Sequence, residues 1–360
     1  MKRILILLLA TLLAITSFAQ VKKAPAPERQ GWYEGIAGTE IPLYGDVESV
    51  VCTYYELKDY FGEAVRGNLK NKRVIKFNER GDVVEDYDGS LDYKFTNKYD
   101  SAGNVIERAY YNSDGSLDGK SIFKYDSAGN KIEEAWYKSD GSLEEKCIYK
   151  YDSAGNKTEE AYYYSDGSLF HKYTLKYDSV GNMIEAADYT LNYKYTYKYD
   201  SAGNMIEEGC YRYDGSLWYK KIYKYDSAGN KIEKTEYKSD GSLDEKYTWK
   251  YDSAGNMIEK ARYNSDGSLD EKYTWKYDSA GNEIERACYN SDGSLDDKYT
   301  WKYDSVGNKI EEARYNSDGS LYRKYTWKYD SAGNVVERIE YKSEIMIPVS
   351  ICESKITYRK

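Results

Sequence analysis

LDEKYTWKYDSAGNMIEKARYNSDGS, from Leu243 to Ser268, reads as two strands and two turns. Its first nine residues alternate: Leu243, Tyr247, Trp249 and Tyr251 fall on one side of an extended chain, and Asp244, Lys246, Thr248 and Lys250 on the other. Asp-Ser-Ala-Gly and Asn-Ser-Asp-Gly supply the turns, because Asp and Asn side chains bond nearby backbone N–H groups and Gly accepts a positive φ.

The rest of the chain is largely this unit again. YDSAGN or YDSVGN begins at Tyr99, Tyr125, Tyr151, Tyr177, Tyr199, Tyr225, Tyr251, Tyr277, Tyr303 and Tyr329, a spacing of 26 with one step of 22, and FNERGD at Phe77 is a degenerate further copy. A fixed period of this length marks an array in which each unit buries apolar surface only against its neighbours. Pro25, Pro27, Pro42 and Pro348 all lie outside the repeats, as expected where strands are paired on both sides and need every N–H. The fold class is all-β: tandem β-hairpins forming one long antiparallel meander. About twenty strands exceed the roughly ten that an open twisted sheet sustains. The meander is therefore expected to coil into a superhelical or partly closed sheet with its Trp/Ile/Tyr face concave.

Loop lengths set which residues meet. A four-residue DSAG loop places Trp249 opposite Ile258, and a two-residue Asp-Gly loop places Ile258 opposite Trp275. A three-residue loop Ser265-Asp266-Gly267 would set Tyr263 opposite Leu269 and, with DSAG unchanged, send the next aromatics to the other side of the sheet. The two-residue loop predicts a row running straight across: Trp249, Ile258, Trp275, Ile284, Trp301, Ile310, Trp327. A second row holds Tyr247, Lys260, Tyr273, Arg286 and Tyr299, with cations resting on rings. Thr248, Glu259 and Thr274, flanked by lysines, make the opposite face wet.

With 360 residues and 41% hydrophobic content the chain is long enough for a large fold, but 44 of its residues are tyrosine, so a thick aliphatic core is not expected. Lys2 and Arg3, an apolar run from Ile4 to Ile15 and Ser17-Phe18-Ala19 read as a secretory signal peptide over 1–19, cut before Gln20. A linker is expected over 20–45, N-terminal cap strands over 46–76, the hairpin array over 77–341 and a C-terminal cap over 342–360. Beyond the leader no segment is apolar enough for a transmembrane helix. Loss of Lys2 and Arg3 takes the formal charge from −9 to −11, which argues against nucleic acid or an anionic membrane as partner.

The repeated Asp residues lack the alternating carboxylates and terminal Glu of a calcium loop, so they are expected to serve the turns. His171 is the sole histidine and has no partners at catalytic or metal-ligand spacing. Cys52, Cys147, Cys210, Cys288 and Cys352 are odd in number and scattered, which reads as individual substitutions with at least one free thiol. No cofactor, metal or enzyme activity is expected.

KYDSAGN followed by IE and a downstream Tyr resembles the YD repeat of Rhs-type bacterial proteins, over Phe77 to about Tyr341. The resemblance implies β-hairpin sheets that spiral into a shell, and in that family the shell encloses a toxin. The Rhs-associated core that closes such shells and a C-terminal toxin are not found in this sequence. The expected function is that of a non-enzymatic, exported or envelope-associated repeat protein that binds a glycan or protein ligand. Tyr247, Trp249, Tyr273, Trp275, Tyr299, Trp301 and Trp327 would form the floor of the site. The alternative is a purely structural or self-associating array whose aromatic face is packed core.

Overall fold

The computed structural model describes residues 29–34, 40–60, 63–342 and 347–359, so the expected signal peptide and the start of the expected linker lie outside the described residues. Among the described residues every regular element is a strand. Strands β1 (Arg29–Glu34) and β2 (Glu40–Tyr44) pair with each other, so the end of the expected linker is a small hairpin. The other strands, from β3 (Val47–Tyr60) and β4 (Glu63–Phe77) to β26 (Ile347–Tyr358), form one closed, 24-stranded antiparallel barrel.

Each full-length unit follows the pattern of β18 (Leu243–Tyr251), β19 (Met257–Tyr263) and β20 (Leu269–Tyr277). Both turns hold three residues. Asp252 N–H donates to Asn256 O (2.9 Å) and Gly255 N–H to Asp252 O (3.1 Å), with Gly255 at φ +84°. At the other end Asn264 N–H donates to Ser268 O (2.9 Å) and Gly267 N–H to Asn264 O (3.0 Å), again with Gly267 at φ +84°. The glycines take the left-handed position that closes a three-residue hairpin. The expected four- and two-residue loops are thus each wrong by one residue, in opposite senses. Parity survives, and Trp249 and Trp275 do share a face.

Register survives across the Asp-Gly turn, where Asp270 is the extra residue of a bulge and Lys260 still faces Tyr273, but not across the DSAG turn. Trp249 pairs with Lys260 and Lys260 with Tyr273, so the row reaches the next unit two residues short of Trp275. The straight row is replaced by one that climbs around the barrel. Each hairpin slips about 6.6 Å along the strands for about 9.6 Å across them, a tilt on the order of 35°. This tilt is what lets a twisted sheet close on itself. The isoleucines leave the row altogether. Lys250 pairs with Glu259 and Tyr251 with Met257, which makes Ile258 the extra residue of a bulge; Ile284 and Ile310 are skipped in the same way. Ile258 is 37% exposed.

The sense of the slip shows which face is inside. Asn264 directs its N–H to β20, and by alternation so do Arg262 and Lys260. For L-residues, a strand seen running upward with these side chains toward the viewer has these N–H groups on its right. The next strand therefore lies to the right, and the pairing row climbs in that direction. The twist between adjacent strands makes a barrel's row fall to the right when seen from outside. The viewer is inside, and the Trp/Tyr face lines the lumen.

The segments expected as caps are wall strands. β3 pairs with β4 on one side and with β26 on the other, and β26 also pairs with β25 (Val335–Lys342). Leu43, Val47, Val50, Cys52, Ile75 and Phe77 pack together beside this seam. Asn334, fully buried, clamps the backbone of β2: Tyr44 N–H donates to its Oδ1 (2.7 Å) and its Nδ2 donates to Tyr44 O (2.9 Å). In the other repeats the equivalent Asn Nδ2 bonds its own turn, as Asn256 does with Asp252 Oδ2 (3.0 Å). The last repeat has redirected that amide to hold the seam.

Candidate functional site

The lumen wall is a lattice of rings, cations and carboxylates. Alternation along one strand places Tyr two residues before Trp, and the rings lie side by side: Tyr247 and Trp249 have centroids 6.0 Å apart at 19°, Tyr273 and Trp275 6.0 Å at 30°, Tyr299 and Trp301 5.9 Å at 11°. Tyr325 and Trp327 continue the series at 6.0 Å and 42°. All seven residues expected as the floor therefore share the lumen face, in four consecutive units.

Cations from the return strands fill the spaces between these rings. Lys260 Nζ lies 5.3 Å from the ring of Tyr247 and 5.9 Å from that of Tyr273. The Arg286 guanidinium lies 5.4 Å from Tyr299 and 5.1 Å from Trp301, and Lys309 Nζ 4.7 Å from Trp327. Trp301 is the most enclosed of the four tryptophans at 9% exposure; its Nε1 donates to Glu312 Oε2 (3.0 Å), which also accepts from Lys309 Nζ (2.8 Å). Glu283, Arg286, Tyr299, Trp301, Tyr303, Lys309 and Glu312 together border an open recess.

A second cluster lies farther round the wall. Glu208 accepts from Tyr219 Oη (3.0 Å), Lys221 Nζ (2.9 Å) and Tyr223 Oη (3.1 Å). Trp218, 41% exposed, stacks on Tyr193 at 4.5 Å and 16°. Sequence reasoning passed over both; the signal was a Trp where most other full-length units carry Asp or Glu. His171 sits 4.3 Å from the ring of Tyr173, with Nε2 3.7 Å from Asp188 Oδ1. Cys288, Asp296 and Asp297 gather closely enough to share an ion, and burial pushes the Cys288 thiol up.

The outer face is built for water. Glu233 is held between Lys224 (2.7 Å) and Lys246 (2.6 Å), and Glu159 and Glu185 are held between lysines in the same way. The bond to Lys224, followed by that to Lys246, holds the Glu233 carboxyl below its ordinary range. The turn aspartates act within their own loops: Asp252 Oδ1 accepts the N–H of Ala254 and of Asn256 (both 2.9 Å), and Asp266 Oδ1 accepts Ser268 N–H (2.8 Å). Among the described residues no helix is long and apolar enough to cross a membrane.

A family described as a protein of unknown function (DUF2963) matches residues 116–162. No curated protein matches. Among solved structures, TcdB2-TccC3 aligns with 85% of this chain and 26% of its own length at 12% identity and TM-score 0.20. The Photorhabdus luminescens Tc holotoxin pore aligns with 89% of this chain and 26% of its own at 10% identity and TM-score 0.17. A porin-like protein from Bacteroides uniformis ATCC 8492 aligns with 88% and 98% of the two chains at 10% identity and TM-score 0.21. The chain spans about a quarter of the length of the Tc toxin chains it matches.

Proposed function

We propose that this chain is an exported, non-enzymatic repeat barrel whose lumen wall binds a glycan. The observation that carries this reading is the recurrence of one Tyr–Trp pair with interleaved cations, in four consecutive units on the lumen face. Ring faces stack on the C–H faces of sugars, and Lys260, Arg286 and Glu312 between the rings supply partners for hydroxyls. The barrel's 24 strands at the tilt above give a perimeter on the order of 140 Å, and barrels well below that strand number already leave an aqueous lumen. Both faces carry charged side chains, which a lipid-facing wall does not tolerate; the barrel is read as water-filled inside and wetted outside. The YD-repeat resemblance supports export.

Screening the purified mature chain against glycans and peptidoglycan tests the proposal, with Trp275→Ala beside wild type. Glycan capture lost in Trp275→Ala with an unchanged melting curve supports it; absence of glycan capture overturns it. The second reading is a purely structural shell, favoured by the enclosure of Trp301 and its bond to Glu312. Capture of a protein ligand instead of a glycan would keep the lumen as the site and change its occupant.

A further inference from the structure

Strands that are neighbours in the barrel are also successive in the chain everywhere except at one seam, where the first wall strand β3 meets the last strand β26. Two of the five cysteines sit there. Cys52 pairs with Ser354 and Cys352 with Tyr54, so the two cysteines occupy positions one step apart on the same face of adjoining strands. Cys352 packs against the apolar cluster that contains Cys52. Cys52 Sγ also lies 3.4 Å from Ser354 Oγ. The remaining cysteines pair with tyrosines across the sheet instead: Cys147 with Tyr162, Cys210 with Tyr195 and Cys288 with Tyr273. The fold brings this pair together from positions 300 residues apart in the chain, a proximity that their scatter in the sequence does not show.

We propose that Cys52 and Cys352 form a disulfide that covalently closes the barrel at its seam. The oxidant is a disulfide donor, either a small-molecule disulfide or the active-site disulfide of a thiol oxidoreductase. Cys352, the more accessible of the two, loses its proton and attacks one donor sulfur, breaking the donor S–S bond and releasing one donor thiolate. Cys52 then loses its proton and attacks the Cys352 sulfur of the mixed disulfide, forming the Cys52–Cys352 bond and expelling the second donor thiolate. Two protons pass to the two donor thiolates, and the donor takes up the two electrons that the chain's thiols lose. The neighbouring Cys52 thiol, and after it burial, raise the Cys352 thiol above its ordinary range, so the first step is slow at neutral pH and faster in alkali. Once formed, the bond closes a loop of nearly the whole chain and removes the one opening of the ring that needs no turn to unfold.

The test uses the folded mature chain, reduced, incubated with oxidised glutathione, quenched with an alkylating agent in denaturant and mapped by mass spectrometry. The expected result is a fall from five thiols to three, with a Cys52–Cys352 peptide as the crosslinked species. Hydrogen exchange in β3 and β26 should slow by about tenfold or more on oxidation. Cys352→Ser should abolish both changes, and Cys147→Ser should leave both intact. Retention of all five thiols, glutathione held at Cys352 without resolution, or pairing with Cys147, Cys210 or Cys288 would each overturn the proposal. None of these outcomes depends on a lumen ligand, so the fate of the glycan reading does not affect it.

Discussion

The hydroxyl of Tyr277 donates to the carbonyl oxygen of Met257, 2.8 Å away on the adjoining strand, at the end of the strand pair that no turn joins. The pairing of β19 with β20 runs from the turn out to Glu259 and Thr274, and the tyrosine supplies the next bond beyond it. The same clasp, at 2.6–2.9 Å, is made by each equivalent from Tyr99 to Tyr329. This gives the Tyr before each turn Asp a job the strand pattern does not require. Tyr277→Phe should cost about 1 kcal/mol in urea unfolding, the usual worth of one hydrogen bond. Tyr277→Phe and Tyr151→Phe should add, because the two sites share no contact.

The clasp also makes the barrel sensitive to alkali. Burial pushes Tyr277 and Tyr329 up to about 12, against about 10 in an unfolded chain. Between those values the folded state holds protons that the unfolded state has lost, so stability falls as pH rises from about 10 to about 12. Urea unfolding followed over this range should show the decline, and Tyr277→Phe should make it shallower. A stability that holds constant to pH 12 would show that the hydroxyls do not sense folding.

On the outer face the sign reverses. Glu233, held below its ordinary range by Lys224 and Lys246, contributes stability above about pH 4.3 that is lost as pH falls through its lowered folded value. The triad faces solvent, so the contribution is small: Glu233→Gln should cost about 0.5 kcal/mol, shrinking further in 1 M salt. Urea melts of the two proteins at low and high salt check this.

Trp301 and Trp218 should not behave alike. Trp301→Ala removes an enclosed ring and the donor to Glu312, and should cost roughly 3 kcal/mol. Trp218→Ala removes a half-open ring and should stay within about 1 kcal/mol. Equal losses in thermal or urea melts would mean that burial does not separate the two sites.

Much of this architecture is legible in the sequence because period, alternation and turn glycines are repeated ten times over. The all-β array and the shared face of the tryptophans follow from parity alone, which two opposite one-residue errors in loop length leave untouched. Register needs more. A bulge adds one residue without any compositional mark, so Ile258 looks like part of the apolar row and is instead outside it. Coiling follows from the strand count, but the seam does not: the partner of Cys352 lies at the other end of the chain, and periodicity says nothing about what meets there.

Modularity can be tested by cutting the ring to a different size. Deleting Leu243 to Ser268 removes one whole hairpin unit and its two-residue slip together, so the remaining strands keep the same tilt around a smaller perimeter. The contacts of each unit run to its neighbours, and the new neighbours are nearly the old ones in sequence, so the shortened chain should fold with a similar melting temperature. Deleting 13 residues is a different matter. It leaves an odd number of strands, and an odd ring cannot be antiparallel throughout, so β3 and β26 would meet parallel and lose the pairing that includes Cys352 with Tyr54. That variant should open or aggregate. Circular dichroism melts and small-angle scattering of the two deletions decide between these outcomes, and equal tolerance of both would refute a closed, two-strand modular ring.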